Sequence, residues 1–325
     1  MKPFTVEQED GGLRLDHWIK RHHPQISHGK LQQALRKGMV KLDGKKTEAS
    51  ARLAVWSVVT IAPVLLALEE RTPRKEKASP APLSDSQIKE TRAMVIYEDA
   101  QCIVLNKPAG LAVQGGTGVK DSIDARLEAL AGRKGERPRL VHRIDRDTSG
   151  VLLLAKTSKD AARLAKAFAS KEIKKLYLAL VVGVPEPKTG KIDKALAKIH
   201  LPGGEKMGTD TEDGKRAITL YHVADTALDR LSLVEMSPVT GRTHQLRAHM
   251  ASIGHPVLGD GKYGGREAFI PSMEIARQLH LHAWRLVLPS AGLDITAPLP
   301  KHMRDSFKEL GFYPPTESYL LETME

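Results

Sequence analysis

Short runs of apolar residues recur along the chain and are separated by polar segments rich in glycine and charge. The clearest run, residues 151–154, is bounded by Gly150 and by the polar segment 156–160, which is typical of a buried strand. Comparable apolar or alternating patterns predict strands in five further segments: 102–105, 175–182, 218–223, 231–236 and 279–284. These segments are therefore expected to contribute strands to the fold.

Helical periodicity is found between these strands. Residues 158–171 have the spacing of an amphipathic helix. Thr243 is predicted to cap a second helix, which Gly254 ends. Arg247 directly follows the apolar Leu246 on that helix. We therefore expect its guanidinium at the edge of the buried face, available to a carboxylate.

The first 65 residues form a small basic module. They contain eleven basic and six acidic residues, so a fifth of the chain carries +5 of the net charge of +11. Helices are predicted over residues 14–21 and from Ser27 to about residue 37, and the pair Asp43-Gly44 predicts a hairpin turn. The next segment is charged, rich in proline and poor in large apolar residues, which is typical of a linker. We predict four parts: module 1–65, linker 66–92, main domain 93–312 and tail 313–325.

Composition narrows the class of partner. The 325 residues are 41% hydrophobic and 27% charged, as in an ordinary globular protein. The net charge of +11 indicates a polyanionic partner, with nucleic acid ahead of a membrane. Cys102 is the single cysteine, and the most apolar window, residues 53–68, is shorter than a membrane span. We expect a cytoplasmic protein that makes no use of a membrane.

The loop before the first strand described above concentrates charge beside an apolar core. It carries Arg143 and Arg146 together with Asp145 and Asp147, directly before the run 151–154. Charged groups held against a dry strand are candidates for a functional site, although a solvated loop with surface ion pairs is the simpler interpretation of this loop taken alone.

Other motifs do not indicate a cofactor. The glycine-rich segment 115–118 lacks both the ending of a phosphate-binding loop and the spacing of a dinucleotide fingerprint. His244 and His249 are five residues apart, off the spacing of a helical zinc pair, and His280 and His282 have no marked third ligand. We predict neither a nucleotide cofactor nor a metal site.

The basic module resembles an S4 RNA-binding domain. The resemblance rests on Arg14-Leu15-Asp16, on Ser27 before a basic helix, and on Gly38, Val40 and Asp43-Gly44. In that family the second helix and the following hairpin hold structured RNA by its backbone. The resemblance therefore implies that basic residues of the second helix bind RNA: Lys30, Arg36 and Lys37.

The main domain resembles the RluA-type pseudouridine synthases, and its RluC-type branch most closely. Three motifs carry this resemblance: His142-Arg143-x-Asp145-x-x-Thr148-Ser149-Gly150, Gly241-Arg-Thr-His-Gln-Leu-Arg247 and Asn106-Lys107-Pro108-Ala109-Gly110. The family isomerises uridine to pseudouridine in RNA by breaking the N1–C1′ bond and joining C5 to C1′. No atoms are gained or lost in this reaction, so no redox cofactor is required.

The resemblance implies roles for individual residues. Asp145 is the expected nucleophile, attacking either the sugar or the base, and Arg247 is expected to form a salt bridge that lowers the pKa of Asp145. Tyr177 is expected to pack on the base and to be the candidate for removing the C5 proton. Leu246 should line the pocket, and Arg143 should help to extrude the base. Three more residues of the motifs are expected to contact RNA: Lys107, Arg242 and His244.

The resemblance also implies a substrate and a fold. The RluC-type branch modifies 23S ribosomal RNA, and tRNA is the alternative substrate. We expect an α+β fold, with a mixed, mainly antiparallel sheet and a central cleft, in a monomer. A non-catalytic RNA-binding or ribosome-assembly factor with the same fold is the competing hypothesis, and the joint presence of Asp145, Tyr177 and Arg247 argues against it.

Overall fold

A computed structural model describes residues 1–67, 82–116, 119, 121–132, 135–201, 204–209, 214–271 and 275–323. The chain divides into two compact units, Met1–Ala81 and Pro82–Glu325. Most of the predicted linker, residues 68–81, lies outside the described residues.

The first unit is a small sheet covered by helices. Its elements are β1 (Lys2–Thr5), α1 (Leu15–His22), α2 (His28–Arg36), β2 (Val40–Leu42), β3 (Lys45–Lys46), β4 (Val58–Ile61) and α3 (Pro63–Leu66). The strands are antiparallel in the order β1-β4-β2-β3. Trp18 and Leu31 of the two long helices pack with Val59 and Ile61 of β4 in one core.

Two sequence signals account for the local structure of this unit. The hydroxyl of Ser27 accepts a hydrogen bond from the Lys30 backbone N–H, 3.5 Å away, and caps α2 as predicted. Asp43 and Gly44 both have positive φ, 49° and 77°, the conformation that a two-residue type I′ hairpin requires. The predicted helices and hairpin are confirmed, and the S4 assignment stays a prediction.

The second unit is built on one large sheet. Its strands are β5 (Val95–Glu98), β6 (Cys102–Lys107), β7 (Arg139–Leu140), β8 (Ser149–Ala155), β9 (Lys174–Val182), β10 (Thr189–Asp193), β11 (Ala197–Leu201), β12 (Gly204–Gly208), β13 (Ile218–Ala227), β14 (Leu231–Pro238), β15 (Leu281–Leu288) and β16 (Leu293–Thr296). Its helices are α4 (Asp85–Ala93), α5 (Ile123–Arg126), α6 (Ser158–Ala169), α7 (Gln245–Ser252), α8 (Lys301–Leu310) and α9 (Tyr319–Thr323). None of the helices in the described part of the chain has the length and apolarity that a bilayer span requires.

The sheet has the order β10-β13-β14-β9-β15-β8-β6-β5, with β16 beside β15 and β7 beside β8. Its described ladders are antiparallel except for the pair β8–β15. Strands β11 and β12 form a separate hairpin. The predicted α+β class with a mixed, mainly antiparallel sheet is confirmed.

Two helices of this unit fall in ranges that the sequence predicts as linker and tail. Helix α4 is tied to α5 because Arg126 binds Glu90 at 2.9 Å and also pairs with Asp121. Helix α9 follows Ser318, whose hydroxyl donates to the buried Glu235 of β14, and the Leu320 backbone N–H donates to the same carboxylate at 3.3 Å. Burial raises the pKa of Glu235, and these donors oppose that shift. Long-range polar contacts thus hold both segments to the main domain.

The parallel pair β8–β15 depends on Gly150. Only two pairs of residues are in register there, Ser149 with His282 and Gly150 with Ala283. Gly150 has φ +109°, and a Cβ at this position would lie 2.1 Å from the Ala283 carbonyl oxygen. The Ser149 hydroxyl lies 2.8 Å from Nδ1 of His282 and adds a buried side-chain contact across the same pair. A residue without a side chain is therefore required for the two strands to meet.

Substituting Gly150→Ala is expected to lower the free energy of unfolding of the second unit by about 3 kcal/mol or more, because the methyl group forces the strands apart and the backbone is strained. Urea unfolding followed by circular dichroism measures this loss. Gly132→Ala is the control, since nothing lies within 4 Å of its added Cβ. Equal unfolding midpoints for the two variants would contradict the steric argument.

Candidate active site

A cleft of about 590 Å³ lies where the loop before β8, the start of β9 and the loop between β14 and α7 converge. Five of the residues that the sequence singles out line this cleft: Arg143, Asp145, Tyr177, Arg242 and Leu246. The structure thus brings together residues from two of the sequence motifs and from strand β9, which are up to about a hundred positions apart in sequence.

Sheet register explains why Asp145 and Tyr177 share the cleft. Ala283 of β15 pairs with Gly150 of β8 on one side and with Tyr177 of β9 on the other. Asp145 lies five residues before Gly150, in the loop that leads into β8. The carboxylate and the phenol are therefore carried by neighbouring parts of one sheet edge.

His142 fixes the start of the Asp145 loop. Its Nε2 atom accepts a hydrogen bond from the Leu153 backbone N–H at 2.8 Å, and its ring packs against Phe168 with centroids 4.7 Å apart. Burial and the charge of Lys175 lower the pKa of His142 to about 3. The ring is therefore neutral at neutral pH, as acceptance of this hydrogen bond requires.

Lys107 fixes the other side of the same loop. Its ammonium is fully buried and donates to the carbonyl oxygens of Pro108, Leu111 and Arg146 at 2.7, 2.8 and 2.9 Å. Burial lowers the pKa of Lys107 to about 7, against the opposing effect of the Asp147 and Asp145 charges. Only the charged form has the three donors that these carbonyls take up. This placement corrects the expectation that Lys107 contacts RNA, because its ammonium ties the loop together inside the protein.

Asp145 is half-buried in the cleft, and its carboxylate has no hydrogen bond or ion pair within 4.0 Å among the described residues. After burial, its negative charge is a second cause of the raised pKa of Tyr177. The same charge contributes to the raised pKa of Arg247 and opposes the lowering of the His244 pKa by burial. The carboxylate is thus close to several polar groups but engaged by none of them.

The predicted ion pair between Arg247 and Asp145 is corrected by the structure. Arg247 instead binds Asp260 through two hydrogen bonds, Nε to Oδ2 at 2.7 Å and Nη2 to Oδ1 at 2.8 Å. Both side chains are buried, 6% and 2% exposed. Arg247 was expected at the edge of a buried face and available to a carboxylate, which is confirmed; the identity of that carboxylate was wrong. Asp260 is thirteen residues further along the chain, and no sequence spacing indicates the pairing.

Tyr263 and His244 complete this cluster. The guanidinium of Arg247 lies 5.1 Å from the centre of the Tyr263 ring, and the Tyr263 hydroxyl lies 2.8 Å from Nδ1 of His244. The same hydroxyl accepts a hydrogen bond from the Met207 backbone N–H at 3.1 Å, which anchors the β11–β12 hairpin. Burial raises the pKa of Tyr263 and lowers that of His244. The predicted RNA contact of His244 would have to be made by a half-buried ring that already has an intramolecular partner.

The start of α7 differs from the prediction. The helix begins at Gln245, and its N-cap residue is His244 in the left-handed conformation (φ 51°), without a side-chain cap, so Thr243 is not the cap. The helix start has no side-chain cap, and the side chain of Gln245 instead forms a buried network of hydrogen bonds there. Its amide nitrogen donates to the Ile218 carbonyl at 2.9 Å, and its amide oxygen accepts from the Thr240 hydroxyl at 2.7 Å. The roles of Gln245, Asp260 and Tyr263 could not be predicted from the sequence, because each acts through a partner that only the tertiary fold supplies.

The histidines considered as metal ligands have protein partners. His282 lies between the Ser149 hydroxyl and the Ala297 carbonyl, and His280 between the Gln278 carbonyl and the Ser306 hydroxyl. Burial lowers the pKa of both rings to about 4. Within the described ranges, no group of three or more potential ligands is arranged to hold a metal ion.

The predicted RNA-binding residues of the first unit are accessible. Lys30 and Arg36 lie on α2 and Lys37 follows it, and all three side chains are exposed, whereas Leu31 and Leu35 of the same helix are buried. The helix therefore presents a basic face to solvent.

Comparison with known proteins identifies relatives of the whole chain. The sequence profile of the family described as RNA pseudouridylate synthase matches residues 101–252. A Rickettsia conorii protein named ribosomal large subunit pseudouridine synthase C is 38% identical over 275 residues, which cover 85% of this chain and 88% of the relative. A Vibrio cholerae protein of the same name is 33% identical over 318 residues, covering 94% and 96%. The solved structure of human RNA pseudouridylate synthase domain containing 4 has a TM-score of 0.61 and 29% identity, and covers 71% of this chain and 99% of its own.

Removing the partner of Arg247 is expected to be costly. Asp260→Ala leaves a buried guanidinium without its carboxylate and should lower the free energy of unfolding by about 3–5 kcal/mol. Asp294→Ala is a matched control, because Asp294 binds Arg285 with the same two-point geometry, at 2.7 and 2.6 Å, in an exposed position. The control should lose about 1 kcal/mol or less. Chemical denaturation measures the loss of unfolding free energy in both variants. Equal losses would contradict the expectation that the buried ion pair contributes more to stability than the exposed one.

Proposed function

The chain belongs to the RNA pseudouridylate synthase family, and we propose that it isomerises uridines of large-subunit ribosomal RNA with Asp145 as the nucleophile. The observation that carries this proposal is the half-buried carboxylate of Asp145, which has no partner among the described residues, in a cleft whose other lining side chains are apolar, neutral polar or basic. A carboxylate without an internal partner keeps its oxygens available for bond formation with a substrate.

The chemistry requires one nucleophilic carboxylate and a pocket for one base. Asp145 attacks either C1′ of the ribose or the uracil ring, the N1–C1′ bond breaks, the base turns, C5 joins C1′, and the bond between the substrate and Asp145 breaks. The C5 proton leaves and N1 gains a proton, so the reaction is balanced without an oxidant or a reductant. A hydrolytic glycosidase would need a second carboxylate in the cleft. Among the described residues that line it, Asp145 is the only acidic one.

Tyr177 and Leu246 suit the pocket for the base. Leu246 offers an apolar wall, and the ring of Tyr177 offers a flat surface against which uracil can stack. Burial and the negative charge of Asp145 raise the pKa of Tyr177, so its phenol is protonated before the reaction. The C5 proton can leave only after C5 has joined C1′, and Tyr177, which lines the cleft together with Asp145, is the candidate base that takes it.

We propose that Arg247 supports the reaction by holding helix α7 in position and by the electric field of its positive charge. It does not form an ion pair with Asp145. Its ion pair with Asp260 holds α7, and with it Leu246, against the cleft. The raised pKa of Arg247 includes a contribution from Asp145, which means that the two charges attract each other across the site. Arg247 thus adds a positive charge near Asp145 without forming an ion pair with it.

The cleft also suits an RNA strand. Arg143 and Arg242 are exposed at its margin, where they can bind phosphates or fill the space that a flipped base leaves. Aromatic residues make up only 4% of the chain, which favours recognition of RNA shape with one flipped base over stacking of many bases. The relatives from Rickettsia conorii and Vibrio cholerae are named for the large ribosomal subunit, which supports rRNA over tRNA as substrate.

The first unit is proposed to add affinity for the RNA backbone. It carries the exposed cations Lys30, Arg36 and Lys37 in and just after α2. Contacts between such cations and phosphates strengthen binding without reading sequence.

Asp145→Asn is expected to abolish pseudouridine formation, because the neutral amide is not a nucleophile. Carbodiimide mapping of rRNA and tRNA from cells with the wild-type chain, the variant or neither measures this directly. Asp147→Asn is the control, since it alters an exposed carboxylate two residues away in the same loop. Sites in large-subunit rRNA should disappear equally with Asp145→Asn and with the deletion, and persist with Asp147→Asn. Persistence of every site in the deletion would favour the non-catalytic RNA-binding alternative.

Replacing Lys30, Arg36 and Lys37 together by Gln should reduce the salt dependence of RNA binding. Each lost phosphate contact lowers the slope of log K against log salt concentration by about 0.7–0.9. Titration of RNA at several KCl concentrations measures the slope, and the rate at saturating RNA should stay within about twofold of wild type. Lys20→Gln, on the exposed side of α1, is the control and should leave the slope unchanged. A slope that falls for Lys20→Gln but not for the triple variant would contradict the role of α2.

A further inference from the structure

Lys175 lines the same cleft as Asp145 but has no role in the chemistry described above. It lies on β9 two residues before Tyr177, and side chains two apart on a strand point to the same face of the sheet. On the opposite face, Leu176 and Leu178 are packed in a separate apolar core. Lys175 and Tyr177 therefore face the cleft together.

The ammonium of Lys175 has no hydrogen bond or ion pair with any residue in the described ranges, although the side chain is half-buried. Other inward-facing cations of this unit have partners: Lys107 binds three carbonyls, Arg126 two carboxylates and Arg247 one carboxylate. Burial lowers the pKa of Lys175, and no nearby anion opposes this effect. A cation removed from water without a counter-charge costs stability, so its retention in a cleft indicates an external anion.

The ammonium of Lys175 acts on His142 in the wall of the cleft. Burial, and after it the charge of Lys175, lowers the pKa of His142, whose ring packs on Phe168, and all three residues line the cleft. Among the described residues that line it, the cleft therefore holds a carboxylate, Asp145, and an ammonium, Lys175, that have no partner inside the protein.

We propose that the ammonium of Lys175 binds a backbone phosphate of the RNA next to the target uridine, in the part of the cleft lined by His142 and Phe168. This proposal rests on the proposed function, because it takes the substrate to be an RNA strand whose flipped base lies at Asp145. A phosphodiester is the anion that such a strand necessarily brings with it. The contact would hold the strand in register while the base turns.

Binding measurements test the contact without requiring turnover. Equilibrium binding of an unmodified large-subunit rRNA transcript is compared for the Asp145→Asn chain with and without Lys175→Met. Loss of the ammonium should weaken binding about tenfold, as expected for one charge-assisted contact. The slope of log K against log salt concentration should fall by about 0.7–0.9. Lys175→Arg should restore the slope, and Lys308→Met, an exposed lysine on α8, should change neither quantity.

Stability separates this role from a structural one. Removing an unpaired buried charge should leave the unfolding midpoint of Lys175→Met equal to or above that of wild type. A lower midpoint together with an unchanged salt slope would mean that the lysine stem merely packs the cleft wall, and the proposal would be overturned. An unchanged affinity in Lys175→Met would overturn it as well.

A neutral linkage identifies the phosphate. Once the target uridine is mapped, RNA with a single methylphosphonate on its 5′ or 3′ side is bound to both chains. At the contacted position, the methylphosphonate weakens binding to the chain that has Lys175. It causes no additional loss of affinity in the Lys175→Met chain, which has already lost the contact. If neither linkage shows this coupling, the assignment fails.

The two proposals fail separately. A Lys175-dependent salt slope together with pseudouridine formation that survives Asp145→Asn would leave the phosphate site standing and overturn the nucleophile. Pseudouridine formation that depends on Asp145, together with RNA binding that does not change in Lys175→Met, would support the nucleophile and overturn the phosphate site.

Discussion

Gly150 of β8, Ala283 of β15 and Tyr177 of β9 lie side by side in one row of the sheet, and this row holds the second unit together. It joins strands β5, β6 and β8 to the other half of the sheet through only two pairs of residues in register. The missing side chain of Gly150 allows the two backbones to meet. The same row fixes the distance between the loop of Asp145 and the ring of Tyr177, so one steric requirement sets both the fold and the site.

Much of the site could be predicted from the sequence because its residues lie in compact motifs. Asp145 precedes an apolar strand, Tyr177 opens another, and Leu246 and Arg247 adjoin a helical face. The local pattern indicated these positions, and the resemblance of the motifs to a known family gave them their expected roles. The partners of charged groups could not be predicted in the same way. Arg247 meets Asp260, and Lys107 meets backbone carbonyls, through contacts that depend on how the strands and loops pack. Local sequence shows that a charge needs a partner but does not show which one it finds.

The ionisable side chains of the second unit that are buried or line the cleft fall into two groups. Some are neutral or paired inside the protein, and others have no partner among the described residues. The buried histidines are neutral, and Arg126 and Arg247 are paired. Asp145 and Lys175 are left without partners among the described residues, and both line the cleft. The fold thus gives Lys107, Arg126 and Arg247 polar partners inside the protein and leaves Asp145 and Lys175 available to an RNA strand.

The contact between Ser149 and His282 joins positions that are 133 residues apart in the chain. During synthesis at about 5–20 residues per second, the strand that carries the Asp145 loop waits on the order of ten seconds for β15 to be made. Until then the apolar edge of β8 has no neighbour on that side, and contacts of such long sequence separation form late in folding. The growing chain therefore carries an edge of β8 without its neighbour until Leu281–Leu288 has been made.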